Sequence, residues 1–192
     1  MKNILIMGIG RAGKTTLSNM IKDKYPNYNL IHSDSLKWAI IRAEDKEKYY
    51  RTNVDKQKKF EHGEFFQKTL LGFFNSSISK DKMHYGHILE SGQLHPKIVK
   101  EMIDFKNTIV VCLGLGNLNV NEMVDLCIEH DTESDWTYGL PREYIKEHAM
   151  DWHLANEMLK KECPKYGIKY YDTSKNRVET LKNIMSEIEK LI

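Results

Sequence analysis

Short apolar runs alternate along the chain with longer segments in which apolar residues recur every three or four positions. The short runs predict β-strands, because each is brief and is bounded by polar or turn residues. They cover Asn3–Met7, Asn29–His32, His87–Glu90, Thr108–Leu113 and Ile168–Tyr171. The run Thr108–Leu113 is the most continuous, which is typical of a strand buried on both faces of a parallel sheet.

The longer segments predict helices between the strands. They cover Lys14–Lys24, Ser35–Arg42, Phe60–Ser79, a short helix from Pro96, a helix carrying Met123, Val124 and Cys127, Arg142–Glu162, and a last helix from Arg177. Asn119 or Asn121 is suited to cap the helix that contains Met123. The charged stretch Ala43–Lys59 has no clean period, and we expect a mobile loop or a weak helix there.

One predicted helix, Phe60–Ser79, carries an apolar stripe. Because apolar residues at helical spacing usually face the core, we expect this stripe to be buried. Its members are Phe65, Phe66, Leu70, Phe73 and Phe74.

The order of the elements defines the fold class. Strands joined by helical crossovers imply a mostly parallel sheet with helices on both faces. Ligands of such a sheet bind at the carboxyl ends of its strands. The 192 residues are enough for one domain with a proper core and too few for two comfortable ones.

Composition narrows the function classes. With 41% apolar and 29% charged residues and a net charge of +2, the chain is typical of a soluble globular protein, and nothing in it argues for nucleic acid or an anionic membrane. No apolar run is long enough to span a bilayer. Cys112, Cys127 and Cys163 are widely spaced, so we expect buried free thiols in a reducing cytoplasm.

The most informative motif is Gly8–Thr15, which fits G-x-x-x-x-G-K-[ST] between a predicted strand and a predicted helix. Glycines let the backbone N–H groups wrap around an anion, and the helix start adds the positive end of its dipole. Lys14 is expected to reach the β- and γ-phosphates, and the Thr15 hydroxyl to face Mg²⁺. Nucleotide contacts are predicted for Gly8, Gly10, Arg11, Ala12, Gly13, Lys14, Thr15 and Thr16. The alternative is a glycine-rich turn that binds nothing.

Three further strand ends carry polar segments: His32–Lys37, Glu90–Leu94 and Asp172–Arg177. Together with the phosphate loop Gly8–Thr15, this layout resembles the small-molecule kinase group of phosphate-loop proteins, which includes adenylate kinase, shikimate kinase and gluconate kinase. The resemblance covers the whole chain and implies a single three-layer α/β domain over residues 1–192, with a five-stranded parallel sheet, helices on both faces and a lid. It also implies ATP with Mg²⁺ and a small-molecule acceptor, in a monomer or homodimer with no nucleic acid or membrane partner.

The resemblance gives the acceptor segment, residues 33–80, a specific role. Ser33, Asp34 and Lys37 stand where adenylate kinases hold the acceptor's phosphate, with Lys37 in the place of an Arg. In kinases that phosphorylate a hydroxyl, an Asp at this position orients the hydroxyl, and Asp34 matches it. The alternative for Asp34 is an N-cap of the following helix.

Glu90 is the candidate acid on the magnesium side. The segment Glu90–Leu94 lacks the Arg with which adenylate kinases grip an acceptor phosphate, and the fourth strand ends at Gly114 without an Asp. Glu90 could therefore reach Mg²⁺ through water or orient a substrate hydroxyl. The alternative is an ordinary acid at a strand end.

The lid segment, residues 130–142, is polar and poor in Arg. Arg142 is the candidate that would neutralise the transferring phosphoryl group, or it is a solvated residue of the first helical turn. Arg11 and Lys146 are further candidates. The acids of the lid could instead select a polar or cationic acceptor.

The loop Asp172–Arg177 lies where the family stacks adenine. The Ser174 backbone could read the base edge, and the Arg177 guanidinium could stack on the ring. The alternative is that Asp172, Thr173 or Ser174 simply caps the last helix.

Three functions remain in competition. The first is ATP-dependent phosphotransfer to a small molecule, with Lys14, Asp34, Glu90 and Arg142 as its catalytic residues. A switch GTPase would need D-x-x-G and N-K-x-D in suitable places, and neither occurs, so ATP is preferred over GTP. The last is an ATP-binding regulator, or a partner in tRNA modification, that hydrolyses ATP slowly.

Overall fold

A five-stranded, all-parallel sheet forms the centre of the protein, in the order β2-β3-β1-β4-β5. The structure is a computed structural model that describes residues 1–133 and 135–192. The strands are β1 (Asn3–Gly8), β2 (Tyr28–His32), β3 (Gly86–Ser91), β4 (Thr108–Gly114) and β5 (Lys169–Asp172). The α/β class with helices around a parallel sheet is confirmed.

The helices lie close to their predicted positions. They are α1 (Lys14–Lys24), α2 (Ser33–Ala43), α3 (Glu47–Thr52), α4 (Val54–Glu61), α5 (Glu64–Lys80), α6 (Pro96–Met102), α7 (Val120–His130), α8 (Arg142–Glu162) and α9 (Arg177–Glu189). A short 3₁₀ helix, Cys163–Tyr166, follows α8. The charged stretch Ala43–Lys59 is not a loop, because most of it forms α3 and α4, neither of which contains a fully buried residue.

The central strand positions the site. Every residue of β1 is buried, and β1 pairs with β3 on one side and β4 on the other, with Ile6 opposite Glu90 and Val111. The chain crosses over β1 when it passes from β3 to β4. A crevice therefore opens at the carboxyl end of β1, which is where ligands of such sheets bind.

The predicted stripe on α5 is wrong in part. Phe66, Leu70 and Phe74 are fully buried, but Phe65 is 68% exposed and Phe73 46% exposed. Successive helical residues point about 100° apart, so both members of the pairs Phe65–Phe66 and Phe73–Phe74 cannot face the same core. Leu71, which the predicted stripe does not include, also lies on the buried face.

Two local predictions are confirmed. Asn119 caps α7, because its side chain accepts hydrogen bonds from the N–H groups of Asn121 and Glu122, and the Glu122 carboxylate accepts one from the Asn119 N–H. All three cysteines are buried and free. Within the described ranges, no helix is long and apolar enough to cross a bilayer.

Candidate active site

The phosphate loop is fixed by its own backbone. Arg11 and Gly13 adopt left-handed conformations, with φ of 64° and 89°. Gly8 has φ of 142°, and a Cβ there would lie 2.0 Å from the Leu113 carbonyl oxygen of β4. Ile9 donates its N–H to that same oxygen at 3.2 Å. The loop thus leaves β1 in contact with β4, at a distance that only glycine allows.

Two side chains from distant parts of the chain hold the loop, and the sequence did not reveal either role. The buried Thr173 hydroxyl lies 3.0 Å from the carbonyl oxygens of both Ala12 and Gly114. Trp152 of α8 packs against Gly10, where a Cβ would lie 2.5 Å from the indole Nε1. The loop is therefore held from the segment just after β5 and from α8 as well as from β4.

Lys14 lies inside the loop, where Nζ donates to the Ile9 carbonyl oxygen at 2.7 Å. Burial lowers the pKa of Lys14, while the charges of Glu90 and Asp34 act in the opposite direction. A Cβ on Gly92 would lie 3.9 Å from Lys14 Nζ, so the turn after β3 reaches the same place. The ends of β1, β2 and β3 therefore converge on one ammonium group.

Glu90 links the phosphate loop to the end of β2. Its Oε1 accepts from the Thr15 hydroxyl at 2.9 Å, and its Oε2 lies 3.0 Å from His32 Nδ1. The Glu90 side chain is only 12% exposed. His32 was not predicted to position it.

The oxygen atoms of Thr15 and Glu90 suit Mg²⁺, which prefers oxygen ligands and usually retains water and substrate phosphates. Across the described residues, no group of three His, Cys, Asp or Glu side chains could hold a metal ion. A magnesium ion bound here would therefore take its other ligands from nucleotide phosphates and water.

Asp34 lies in the first turn of α2. The helix begins at Ser33, and its N-cap is His32 without a side-chain capping bond. The N-cap interpretation of Asp34 is therefore wrong. Asp34 is 66% exposed, and its Oδ1 accepts from Gln93 Nε2 at 3.1 Å and lies 2.9 Å from Lys37 Nζ.

Gln93 organises the acceptor side and was missed as a functional residue. Its Oε1 accepts from the hydroxyls of Ser33 at 2.7 Å and Ser91 at 2.9 Å, while its amide nitrogen donates to Asp34. The predicted neighbours Ser33, Asp34 and Lys37 are thus brought together, with Gln93 between β3 and α2.

Lys37 is enclosed by carboxylates. Its side chain is 9% exposed, and Nζ lies 2.8 Å from Glu61 Oε2 in addition to its contact with Asp34. Burial opposes the charged form, but Glu61 and Asp34 outweigh it and raise the pKa of Lys37. The ammonium that was predicted to bind an acceptor therefore has two partners already.

The lid contacts the phosphate loop through Arg11. Its guanidinium forms ion pairs with Asp131 and Asp135. The hydrogen bond from Arg11 lowers the pKa of Asp135 to about 2. These two lid acids are therefore turned towards the protein itself.

Arg142 is directed elsewhere. Its Nη1 lies 2.6 Å from Asp125 Oδ1 on α7, and both side chains are largely exposed. A role on the phosphoryl group stays a prediction and would require this pair to open.

The predicted adenine region contains a cavity of about 540 Å³, lined by Leu126, His130, Thr173, Ser174, Asn176, Arg177, Val178, Glu179 and Lys182. Arg177 Nη2 donates to the Arg11 carbonyl oxygen at 2.7 Å, which ties the cavity wall to the phosphate loop. The capping alternative is wrong, since the N-cap of α9 is Asn176. Nucleotide contacts by Ser174 and Arg177 stay predictions.

An aromatic cluster lies on the lid side of the loop. The rings of Trp136 and His148 are 4.8 Å apart, those of Tyr144 and His148 are 5.0 Å apart, and Trp136 lies 6.3 Å from Trp152, which contacts Gly10. Burial lowers the pKa of His148.

No protein-family model matches the sequence, and no curated protein is similar enough to count as a relative. Solved structures do match. A shikimate kinase from Bacteroides thetaiotaomicron superposes with a TM-score of 0.54 at 17% identity, covering 98% of each chain. A deoxyadenosine kinase from M. mycoides with bound dATP gives 0.55 at 16% identity, covering 97% of this chain and 99% of that one. This protein has a P-loop kinase fold. At these identities the likeness concerns the fold alone.

Proposed function

We propose that the protein transfers the γ-phosphate of ATP to a hydroxyl group of a small molecule bound beside Asp34. The observation that carries this proposal is the convergence of Lys14, Glu90 and Asp34 at the carboxyl ends of adjacent strands. Both carboxylates act on the Lys14 ammonium. An exposed carboxylate within this field, on the side away from the adenine cavity, is suited to orient an attacking hydroxyl.

The roles follow from the contacts. ATP with Mg²⁺ would supply the phosphoryl group and the charge that neutralises it. The backbone of Gly8–Thr15 would bind the phosphates, and Lys14 would exchange the Ile9 carbonyl for phosphate oxygens. Thr15 and Glu90 would hold the metal, with His32 fixing the carboxylate. Asp34 would accept a hydrogen bond from the acceptor's hydroxyl and take up its proton.

A test uses labelled ATP with a panel of nucleosides, nucleotides, sugars, polyols and hydroxy acids. We expect transfer to at least one acceptor, and loss of at least ~100-fold in Lys14→Ala, since removing transition-state charge stabilisation usually costs that much. Lys80→Ala, at an exposed helix end, is the matched control and should keep wild-type activity. If Lys14→Ala kept more than about a tenth of the activity, the proposed role of Lys14 would be wrong.

A second candidate is an ATP-binding regulator that hydrolyses ATP slowly. It is favoured by the lid, because Arg142 is paired with Asp125 and Arg11 with two lid acids. Hydrolysis without any acceptor, unchanged by the whole panel, would support this candidate over the kinase.

A further inference from the structure

Three cations of the acceptor segment, residues 33–80, are paired with carboxylates. Besides Lys37 with its two carboxylates, Lys58 of α4 forms an ion pair with Asp151 of α8. Arg51 of α3 pairs with Glu47. Each of these three cations, as described by the structure, has a carboxylate partner within the protein.

The pair of Lys37 and Glu61 is difficult to open. Both side chains are close to buried, at 9% and 13% exposure. If Lys37 turned towards a substrate anion, the Glu61 carboxylate would lose its counter-ion in a poorly hydrated place, and such a loss is strongly unfavourable. Lys37 is therefore not available as a phosphate or carboxylate ligand.

Within the ion pairs of Lys37 and Lys58, the balance of charge is negative. Two ammonium groups, Lys37 and Lys58, face the carboxylates of Asp34, Glu61 and Asp151. His148 interacts with Lys58, Asp151 and Glu61, and burial with the charge of Lys58 lowers its pKa. Its surroundings therefore favour the neutral imidazole.

The lid side of the phosphate loop carries the aromatic cluster of Trp136, Tyr144, His148 and Trp152. Trp136 is 55% exposed and meets His148 and Trp152 edge to face. Aromatic faces accommodate the C–H groups or planar rings of uncharged molecules. An acceptor bound near Glu61 and His148 would therefore meet carboxylates and aromatic rings.

Resting on the phosphotransfer proposed above, we propose that the acceptor is a hydroxyl compound that carries no phosphate or carboxylate group. Glu61 is then a specificity-determining residue. It holds Lys37 in a neutral pair and thereby excludes anionic acceptors that an unpaired ammonium would attract.

The test compares matched acceptors with and without an anion: a nucleoside against its 5′-monophosphate, and an aldose against its aldonic acid, within the wider panel. We expect the best substrate to be uncharged, with kcat/KM above that of its anionic counterpart by about tenfold or more, which corresponds to about 1.4 kcal/mol of discrimination. An acceptor that is phosphorylated at least as well in its anionic form overturns this inference and leaves the proposed kinase intact. Transfer to no member of the panel overturns the proposed function and this inference with it.

A change of specificity provides the sharper test. Glu61→Gln removes one of the two carboxylates described beside Lys37 and leaves Asp34, so the ratio of kcat/KM for anionic over neutral acceptor should rise by about tenfold. Glu44→Gln, which removes an exposed carboxylate paired with Lys46, is the matched control and should leave the ratio unchanged.

A second variant serves if Glu61→Gln fails to fold. Asp151→Asn removes the carboxylate partner of Lys58 in a more exposed ion pair, and it should shift the ratio in the same direction. An unchanged ratio in a folded variant of either kind would overturn the inference.

Discussion

The nucleotide half and the acceptor half of this cleft are held by different kinds of contact. The phosphate loop is held by backbone geometry and buried atoms: Gly8 lies against β4, and Thr173, which follows β5, bonds to the loop. The acceptor half is held by side-chain pairs such as Lys37 with Glu61, on helices that contain few buried residues. The first arrangement tolerates almost no change, whereas the second can be altered one residue at a time.

This difference has a physical consequence for function. Phosphate binding requires N–H groups at fixed positions, which only a constrained backbone provides. Acceptor choice depends on which charges are free, and those can be changed by exchanging one ion-pair partner. The following predictions test the comparison, from the largest expected effect to the smallest.

Gly8→Ala should be the most damaging substitution. The added Cβ would lie 2.0 Å from the Leu113 carbonyl oxygen, at a backbone angle that L-residues rarely adopt. Since β4 is buried and cannot move freely, we expect a loss of about 3 kcal/mol or more in the free energy of unfolding, measured by urea denaturation.

Gly72→Ala is the matched control. Gly72 lies within α5, and a Cβ there meets no atom within 4 Å. Alanine should stabilise the helix by about 0.5–1 kcal/mol. Equal effects of the two substitutions on stability would contradict the close packing of Gly8 against the Leu113 carbonyl of β4.

Asp34→Asn should reduce kcat by about 10²-fold, close to 2.7 kcal/mol in activation free energy, with little change in ATP affinity. Asn keeps the size and one oxygen but cannot take the acceptor's proton. The measurement is steady-state kinetics with the acceptor identified from the panel.

The control for Asp34→Asn removes a carboxylate from the first turn of another helix. Asp55 is exposed in the first turn of α4, as Asp34 is in the first turn of α2. Asp55→Asn should change stability by about 0.3–1 kcal/mol through the helix dipole alone, and activity hardly at all. If both variants phosphorylated the acceptor at the wild-type rate, Asp34 would have no catalytic role and would act only as a negative charge in the first turn of its helix.

Much of the nucleotide half could be predicted from sequence because its signals are local. The pattern Gly8–Thr15 defines a backbone shape within eight consecutive positions. The short apolar runs likewise predicted the strands, and the helical spacing of apolar residues predicted most of the helices. The contact of Trp152 with Gly10 and the bond of Thr173 to Ala12 could not be predicted, because each joins residues more than a hundred positions apart.

The acceptor half was harder to predict for a different reason. Lys37 and Glu61 lie in charged segments where many alternative ion pairs would have similar energies. No periodic pattern in the sequence indicates which two residues pair. The helix start at Ser33 also differs from the predicted start at Ser35, and this shift of two residues changed the interpretation of Asp34 from a cap to a first-turn acid.

Thr173→Val should have an intermediate effect. Valine has nearly the same shape but cannot donate to the Ala12 and Gly114 carbonyls, which the Thr173 hydroxyl approaches in a fully buried place. We expect a loss of about 1–3 kcal/mol in stability and weaker ATP binding, measured by thermal melting and calorimetry. Thr69→Val, which removes an exposed hydroxyl bonded to Phe65, is the control and should cost much less.

The contact between lid and loop should give the smallest effect, and it should depend on pH. Arg11 lowers the pKa of Asp135 to about 2, below the ordinary value of about 3.9 for Asp. A carboxyl whose pKa is lowered in the folded state stabilises the fold fully at pH values above its pKa in the unfolded chain, and it loses that contribution as pH falls from about 4 towards 2.

The Asp135 side chain is 28% exposed, so we expect Asp135→Asn to cost no more than about 1 kcal/mol at neutral pH. The difference in stability between wild type and variant should shrink below about pH 4 and in high salt. Asp125→Asn removes the exposed pair with Arg142 and should show a smaller difference throughout. A difference that persisted unchanged to pH 2 would mean that Asp135 holds the lid by packing rather than by its charge on Arg11.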